Sequence, residues 1–183
     1  FVVEQHAQGK HVVLIVDEAQ NLSVQALEEL RLLSNVNIDA DIFLQIILTG
    51  QPELIDKLNQ PELEQFAQRI GVEFHLKALS YPETQKYIEY RLEMAGATRP
   101  IFSNEACAVI FCYSEGVPRR INNLCDFVMV YAFADDNDMV DADTVLEMMK
   151  EKKASRIIKP TGKENQDVTR VKSWLLEKYK ILV

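Results

Sequence analysis

The 183 residues carry 20 Lys and Arg against 28 Asp and Glu, a formal net charge of −8, with 48% hydrophobic and 26% charged residues. This is globular composition, enough for one domain or one and a half small ones with a real core, and its acidity argues against a global electrostatic grip on nucleic acid. Phe127 to Ala134, the longest candidate for a membrane span, is far too short and sits in a helix pattern. No signal peptide is visible.

Gly9-Lys10 reads as a turn before Val12-Val13-Leu14-Ile15-Val16, a run of apolar, mostly β-branched residues that ends on Asp17-Glu18. Because the run does not alternate with polar residues, the strand is expected to be covered on both faces. That is the situation in a parallel α/β sheet whose strand tips open onto a ligand crevice. A buried strand delivering two adjacent carboxylates reads as a Walker B element. In such elements the first carboxylate holds magnesium and its neighbour positions or deprotonates the attacking water. Asp17 and Glu18 fit those roles; the alternative is a solvated Asp-Glu pair at the end of an ordinary core strand.

Ser23 can cap a helix with Val24, Leu27, Leu30 and Leu33 on one face, ended by Ser34-Asn35. Asn37 to Asp41 reads as a polar loop. Ile42 to Leu48 is a second buried strand, placing Thr49 beside Asp17 at the strand tips, with Gly50-Gln51-Pro52 as the turn. Pro52 and Pro61 each suit a first helical turn, which predicts short helices over 53–58 and 62–69. Leu63, Phe66 and Ile70 give the second an apolar side and leave Arg69 to point elsewhere. A short strand, Val72 to Leu76, follows.

A helical part opens at Ser80-Tyr81-Pro82-Glu83, a capping box, with Tyr87, Ile88, Leu92 and Ala95 as a core stripe and Gly96 as a left-handed cap. A second helix carries Ala106, Val109, Ile110 and Tyr113, and a third Ile121, Leu124, Cys125, Val128 and Ala132. Between them lies Gly116-Val117-Pro118-Arg119-Arg120, which projects Arg119 from a helix N-terminus, where a cation is out of place unless it meets an anion. Asp135 to Asp138 reads as a solvated acidic turn, and Asp141 caps a fourth helix through Val145, Leu146 and Met149. Lys152 to Asn165 resembles a linker. Asp167 to Leu182 reads as an amphipathic helix that either packs back on its own module or docks a partner. Cys107, Cys112 and Cys125 lack C-x-x-C spacing and read as core thiols of a reducing compartment. His6, His11 and His75 show no ligand spacing.

VVLIVDEAQNLSVQALEELRLLSN, LQIILTGQPEL, QRIGVEFHLKALS, YIEYRLEMAGA and GVPRRINNLCD, together covering roughly residues 11 to 147, resemble the C-terminal two-thirds of an AAA+ ATPase module of the general secretion pathway protein A family. The family is similar also to pilus-biogenesis and exopolysaccharide-associated ATPases, and more distantly to transposition ATPases. The resemblance implies an α/β P-loop NTPase core with a parallel sheet over residues 1–79, carrying Walker B, sensor 1 and arginine finger. A helical lid with sensor 2 over 80–151 and a linker with an amphipathic helix over 152–183 complete the expected domains. It implies Asp17 as the magnesium-side carboxylate, Glu18 as catalytic base, Thr49 as the sensor 1 polar residue, Arg69 as arginine finger and Arg119, rather than Arg120, as the sensor 2 arginine. ATP and Mg²⁺ are the implied substrate and cofactor. The implied partners are further copies of the protein and an envelope or secretion-machinery protein, with nucleic acid not favoured. The implied setting is the cytoplasm, peripheral to the inner membrane through a partner. A nucleotide-controlled binding switch, or a DNA-associated regulator of the transposition type, is the alternative; an interaction module is a third.

No G-x-x-x-x-G-K-[ST] occurs in these residues, although the family places that loop upstream of Walker B and its strand between those of Thr49 and Val72 to Leu76. The chain starts at Phe1, and the expectation is a fragment. Residues 1–183 alone are therefore expected to hydrolyse no ATP above background. Magnesium-dependent phosphate release by this purified chain would overturn the assignment.

Overall fold

Backbone contacts divide the chain into two units, Phe1–His75 and Leu76–Val183. The computed structural model describes residues 1–34, 37–38, 41–42, 44–154 and 166–183, without the side chains of 37–38, 41–42 and 152–154. Most of the expected linker therefore lies outside the described residues.

In the first unit a short helix that the sequence pattern did not suggest, α1 (Val2–Ala7), leads through Gly9 at φ +73° into β1 (Val12–Val16). Ser23 caps α2 (Val24–Leu33), its hydroxyl accepting from the Ala26 N–H at 3.1 Å. The segment expected to be a polar loop forms a minimal antiparallel pair, β2 (Asn37–Ile38) with β3 (Asp41–Ile42), so the main strand β4 starts later than expected and spans Leu44–Leu48. β1 and β4 pair in parallel, Val12 opposite Leu44 through Val16 opposite Leu48. A parallel pair cannot be closed by a tight turn, and α2 lies within the required crossover. Then come α3 (Glu53–Leu58), a 3₁₀ turn (Pro61–Leu63) and α4 (Glu64–Ala67), which ends short of the predicted Arg69.

Leu27, Leu63 and Phe66 form this unit's buried core, with Leu22, Val24, Leu30, Leu48 and Leu58 packed around it. Leu33 was expected on that face and is 49% exposed. From Val24 it is about two and a half helical turns away, which brings it to the opposite side. Ile70, also expected in the core, is exposed because the helix has already ended.

Two expectations for the sheet fail for one reason. Alternate strand residues Val13, Ile15 and Ile47 are exposed, so the ladder is covered on one face rather than both. Val72 to Leu76 forms no strand, and Val72, Phe74 and Leu76 are more than four-fifths exposed. An extended segment becomes a strand only when a neighbour takes its backbone hydrogen bonds, and among the described residues none lies beside it. The apolar alternation is present without the partner that would use it.

The described part of the second unit is helical. The Ser80 N–H and hydroxyl both donate to Glu83 Oε2, at 2.8 and 2.6 Å, and open α5 (Tyr81–Met94) as a capping box. Gly96 takes φ +95° after it, and Ala95, counted in the predicted stripe, is instead an exposed cap residue. Capped by Ser103, α6 (Asn104–Ser114) is buried on nearly every side and is packed by α5, α7 (Pro118–Ala134), α8 (Ala142–Ala154) and α9 (Gln166–Tyr179). Such all-round apolarity marks a helix at the centre of a bundle. The α7 stripe Ile121, Leu124, Cys125, Val128 and Ala132 is buried as its spacing requires, and Asp141 caps α8 through the Thr144 N–H at 2.9 Å. Burial pushes the thiols of Cys107, Cys112 and Cys125 up to about 12, keeping them protonated core residues. Val171 and Leu175 of α9 join the same core, and Trp174 stacks near Tyr81 and Tyr179 with ring centroids 6.1 and 5.2 Å away. The C-terminal helix thus packs on its own module.

Because Ile110 is fully buried in α6, Ile110→Ala is expected to destabilise the helical unit by roughly 2–5 kcal/mol. Leu33→Ala, on an exposed helix face, is expected to stay within about 0.5 kcal/mol in urea melts of the first unit.

Candidate functional site

The parallel register of β1 and β4 carries both chains off the sheet at the same level, so Asp17 and Thr49 emerge side by side. The Thr49 N–H continues the ladder to the Val16 carbonyl, and the Ala19 N–H returns to the Thr49 carbonyl, both at 2.9 Å. Thr49 Oγ1 donates to Asp17 Oδ1 at 2.7 Å, and the Glu18 N–H donates to the same oxygen at 2.9 Å. These bonds, the Thr49 hydroxyl first and the Glu18 amide second, hold the Asp17 carboxyl below its ordinary value. Both fall on Oδ1, which leaves Oδ2 of an exposed, ionised carboxylate for a cation.

Glu18 follows in a left-handed conformation, φ 53° and ψ 36°. A non-glycine residue seldom adopts this region, and here it turns the chain abruptly from strand into the 3₁₀ turn Ala19–Asn21. Asp17 and Glu18 are consequently both exposed at the tip rather than directed to opposite faces of a continuing strand. The structure therefore brings Asp17, Glu18 and Thr49 together.

Arg69 lies just beyond α4 in the same unit, its side chain exposed while Leu63 and Phe66 hold the turn in the core. In the second unit the two arginines of Pro118-Arg119-Arg120 have different surroundings. Arg120 donates to the Tyr113 carbonyl at 2.5 Å and to Glu115 Oε2 at 3.2 Å, fastening α7 to the end of α6. Arg119, in the first turn of α7, is exposed and has no such partner among the described residues. Of the two, Arg119 is the one available to an anion. The preceding turn is fixed by Gly116, at φ +74°, whose carbonyl accepts from the Leu79 N–H at 2.9 Å. A Cβ on Gly116 would lie 1.9 Å from the Leu79 carbonyl oxygen.

The sequence reading missed Gln20 and Lys57. Gln20 spans the gap between the strand tips, donating to Glu18 and accepting from the Gln51 N–H, while the Lys57 ammonium donates to the carbonyls of Gln20 and Leu22. The Gln-Asn shortly after the acidic pair was the only trace of Gln20 in the sequence, and it is not specific.

The donor set suits magnesium rather than a protein-enclosed metal. Magnesium commonly takes one or two carboxylates and completes its shell with phosphate oxygens and water. Asp17 supplies such a carboxylate, and among the described residues no cluster of three or more His, Cys, Asp or Glu side chains exists. In the acidic turn from Asp135, Asp138 pairs with Arg99 at 2.8 Å.

Residues 2–58 match the AAA domain family. General secretion pathway protein A of Aeromonas hydrophila is 46% identical over 128 residues, which make up 70% of this chain and 23% of that protein. The chain belongs to the AAA family, of the general secretion pathway protein A type. It spans under a quarter of that relative's length. Among solved structures, the ADP form of ORC2 from Aeropyrum pernix aligns with a TM-score of 0.64 at 18% identity, covering 99% of this chain and 55% of that one. The R170A variant of RuvB from Thermotoga maritima aligns with a TM-score of 0.59 at 18% identity, over 98% of this chain and 57% of that one. The fold is thus that of the AAA+ ATPases, an α/β core followed by helices.

Thr49→Val removes the leading cause of the low Asp17 pKa and is expected to move that carboxyl up toward its ordinary value, read by carbon NMR titration. A carboxyl whose pKa is depressed by folding contributes stability above its unfolded value, about 3.9, and loses it as pH falls through the folded value. The stability difference between wild type and Thr49→Val is therefore expected to be constant near neutrality and to shrink in acid below about pH 4.

Proposed function

We propose that this chain carries the acid, sensor and lid residues of an ATP-hydrolysing AAA+ protein acting in bacterial secretion. The hydrogen bond from Thr49 to Asp17, with Glu18 beside it at the strand tips, carries the reading. Asp17 would hold magnesium, which when bound would supply positive charge to offset that of the nucleotide phosphates. Glu18, exposed and turned outward, accepts the proton of the attacking water or orients it. Thr49 keeps the magnesium-side carboxylate ionised and aimed, and links it to the second strand. Arg119 offers its guanidinium from the start of α7 to the nucleotide of its own subunit. Arg69, exposed beyond α4, reaches the nucleotide of a neighbouring copy; such an arginine is worth ~10³ to 10⁵ in rate, which makes assembly part of the chemistry.

The cradle of backbone N–H groups for the phosphates is not encoded in residues 1–183, and the proposed activity is that of the full-length protein. Its similarity to general secretion pathway protein A supports a secretion-machinery partner and a homo-oligomer. Among the described residues no helix is long and apolar enough to cross a membrane, which is consistent with attachment to the inner membrane through a partner. The net charge of −8 does not favour DNA as that partner.

In the full-length protein, Glu18→Gln is expected to keep ATP binding and lose most hydrolysis, whereas Asp17→Asn is expected to weaken magnesium-dependent binding as well. Near-normal turnover by purified Glu18→Gln protein would refute the site. Mixtures of Arg69→Ala and Glu18→Gln subunits are expected to recover part of the hydrolysis, because each supplies what the other lacks. No recovery despite confirmed co-assembly would assign Arg69 a structural role.

A further inference from the structure

Gln20 spends its side chain on two bonds that tie the tips of β1 and β4 together. Its Nε2 donates to Glu18 Oε2 at 2.5 Å, and its Oε1 accepts from the Gln51 N–H at 3.1 Å. The two ends of the amide cannot be exchanged, since the Gln51 N–H requires an acceptor and the Glu18 carboxylate requires a donor. The stem is anchored too, because the Gln20 carbonyl accepts from the Lys57 ammonium, which also holds the Leu22 carbonyl at 2.7 Å.

The opposite turn is shaped around that amide. A Cβ on Gly50 would meet Gln20 Oε1 at 2.6 Å, so the residue between Thr49 and Gln51 has no room for a side chain while the amide is in place. Gly50 does not have a positive φ, so its requirement is spatial rather than conformational. The Glu18 carboxylate is otherwise exposed at the end of a flexible stem, and a base in that position loses rate when misplaced by about 1 Å.

We propose that Gln20 is a positioning residue: it clamps the Glu18 carboxylate to the Gly50-Gln51 turn, so that the carboxylate moves with the segment carrying Thr49. The proposal rests on Glu18 being the base of the functional reading above. It assigns Gln20 no contact with the nucleotide. Gln20 acts on the chemistry only through Glu18, and Gly50 acts only through Gln20.

The clamp itself is read without nucleotide, by amide hydrogen exchange of the 183-residue chain followed by NMR. Gln20→Ala removes the acceptor of the Gln51 N–H and is expected to speed exchange at that amide about tenfold, the value of one hydrogen bond. Exchange at the Thr49 N–H, bonded to the Val16 carbonyl, should stay unchanged. Gly50→Ala leaves Gln20 intact but pushes its amide aside, a displacement that the end of a flexible side chain tolerates, and is expected to speed Gln51 exchange likewise. In the full-length protein both variants are expected to lower kcat by ~10 to 10²-fold with KM for ATP held within about twofold. Adding Gln20→Ala to Glu18→Gln should lower the residual turnover no further. Unchanged Gln51 exchange in both variants, or wild-type kcat in both while Glu18→Gln is inactive, overturns the clamp. Full turnover by Glu18→Gln overturns the functional reading instead, whatever Gln51 exchange reports.

Discussion

The hydrogen bond between Thr49 and Asp17 depends on the parallel pairing of two short strands, and the rest of the candidate site depends on that bond. Thirty-two residues separate the two side chains, and only the in-register ladder from Val12 opposite Leu44 to Val16 opposite Leu48 brings them level. A slip of one residue would turn Thr49 to the other face and leave Asp17 without its side-chain donor. Once the pair is level, the left-handed turn at Glu18 puts the second carboxylate at the same tip. The Ala19 amide then returns to the Thr49 carbonyl. Pairing, turn and charge are one construction.

The same construction explains why the two glycines with tight surroundings matter in different ways. Gly50 leaves space for a polar bridge beside the acid pair, whereas Gly116 needs both a left-handed backbone and close approach to Leu79. The first keeps a side chain in place. The second keeps a helix start in place, and with it the divergence of two adjacent arginines. Arg120 is consumed in closing the end of α6, and Arg119 is left facing solvent. A sequence motif with two arginines is thereby divided by packing into one structural cation and one available cation.

The helical unit owes its coherence to α6, a helix buried on nearly every side and enclosed by four others. Its thiols are protonated by burial rather than poised for chemistry, and its C-terminal helix contributes Val171 and Leu175 to the same core. The first unit is organised differently. Its strands show apolar residues such as Ile15 to solvent, and its last segment, with Val72 and Phe74 exposed, has strand-like residues but no ladder.

The acid pair, the strand ending on Thr49, the caps at Ser23, Ser80, Ser103 and Asp141, and the buried stripe of α7 were local properties of the sequence. Each depends on residues within a few positions of one another or on a fixed period, and the physics of caps and amphipathic helices acts over that range. Ser103, however, was recognised as a cap only in the structure, since its helix start lacked a wider signature. Where local reading failed, distance was the cause. The side on which Leu33 falls depends on the length of its helix, and whether Val72 to Leu76 becomes a strand depends on a neighbour. That Gln20 reaches from Glu18 to Gln51 depends on two strands meeting. A hydrogen bond between residues far apart in the chain exists only after the backbone has folded, so the acids were legible in the sequence and the bridge that holds one of them was decided by tertiary structure.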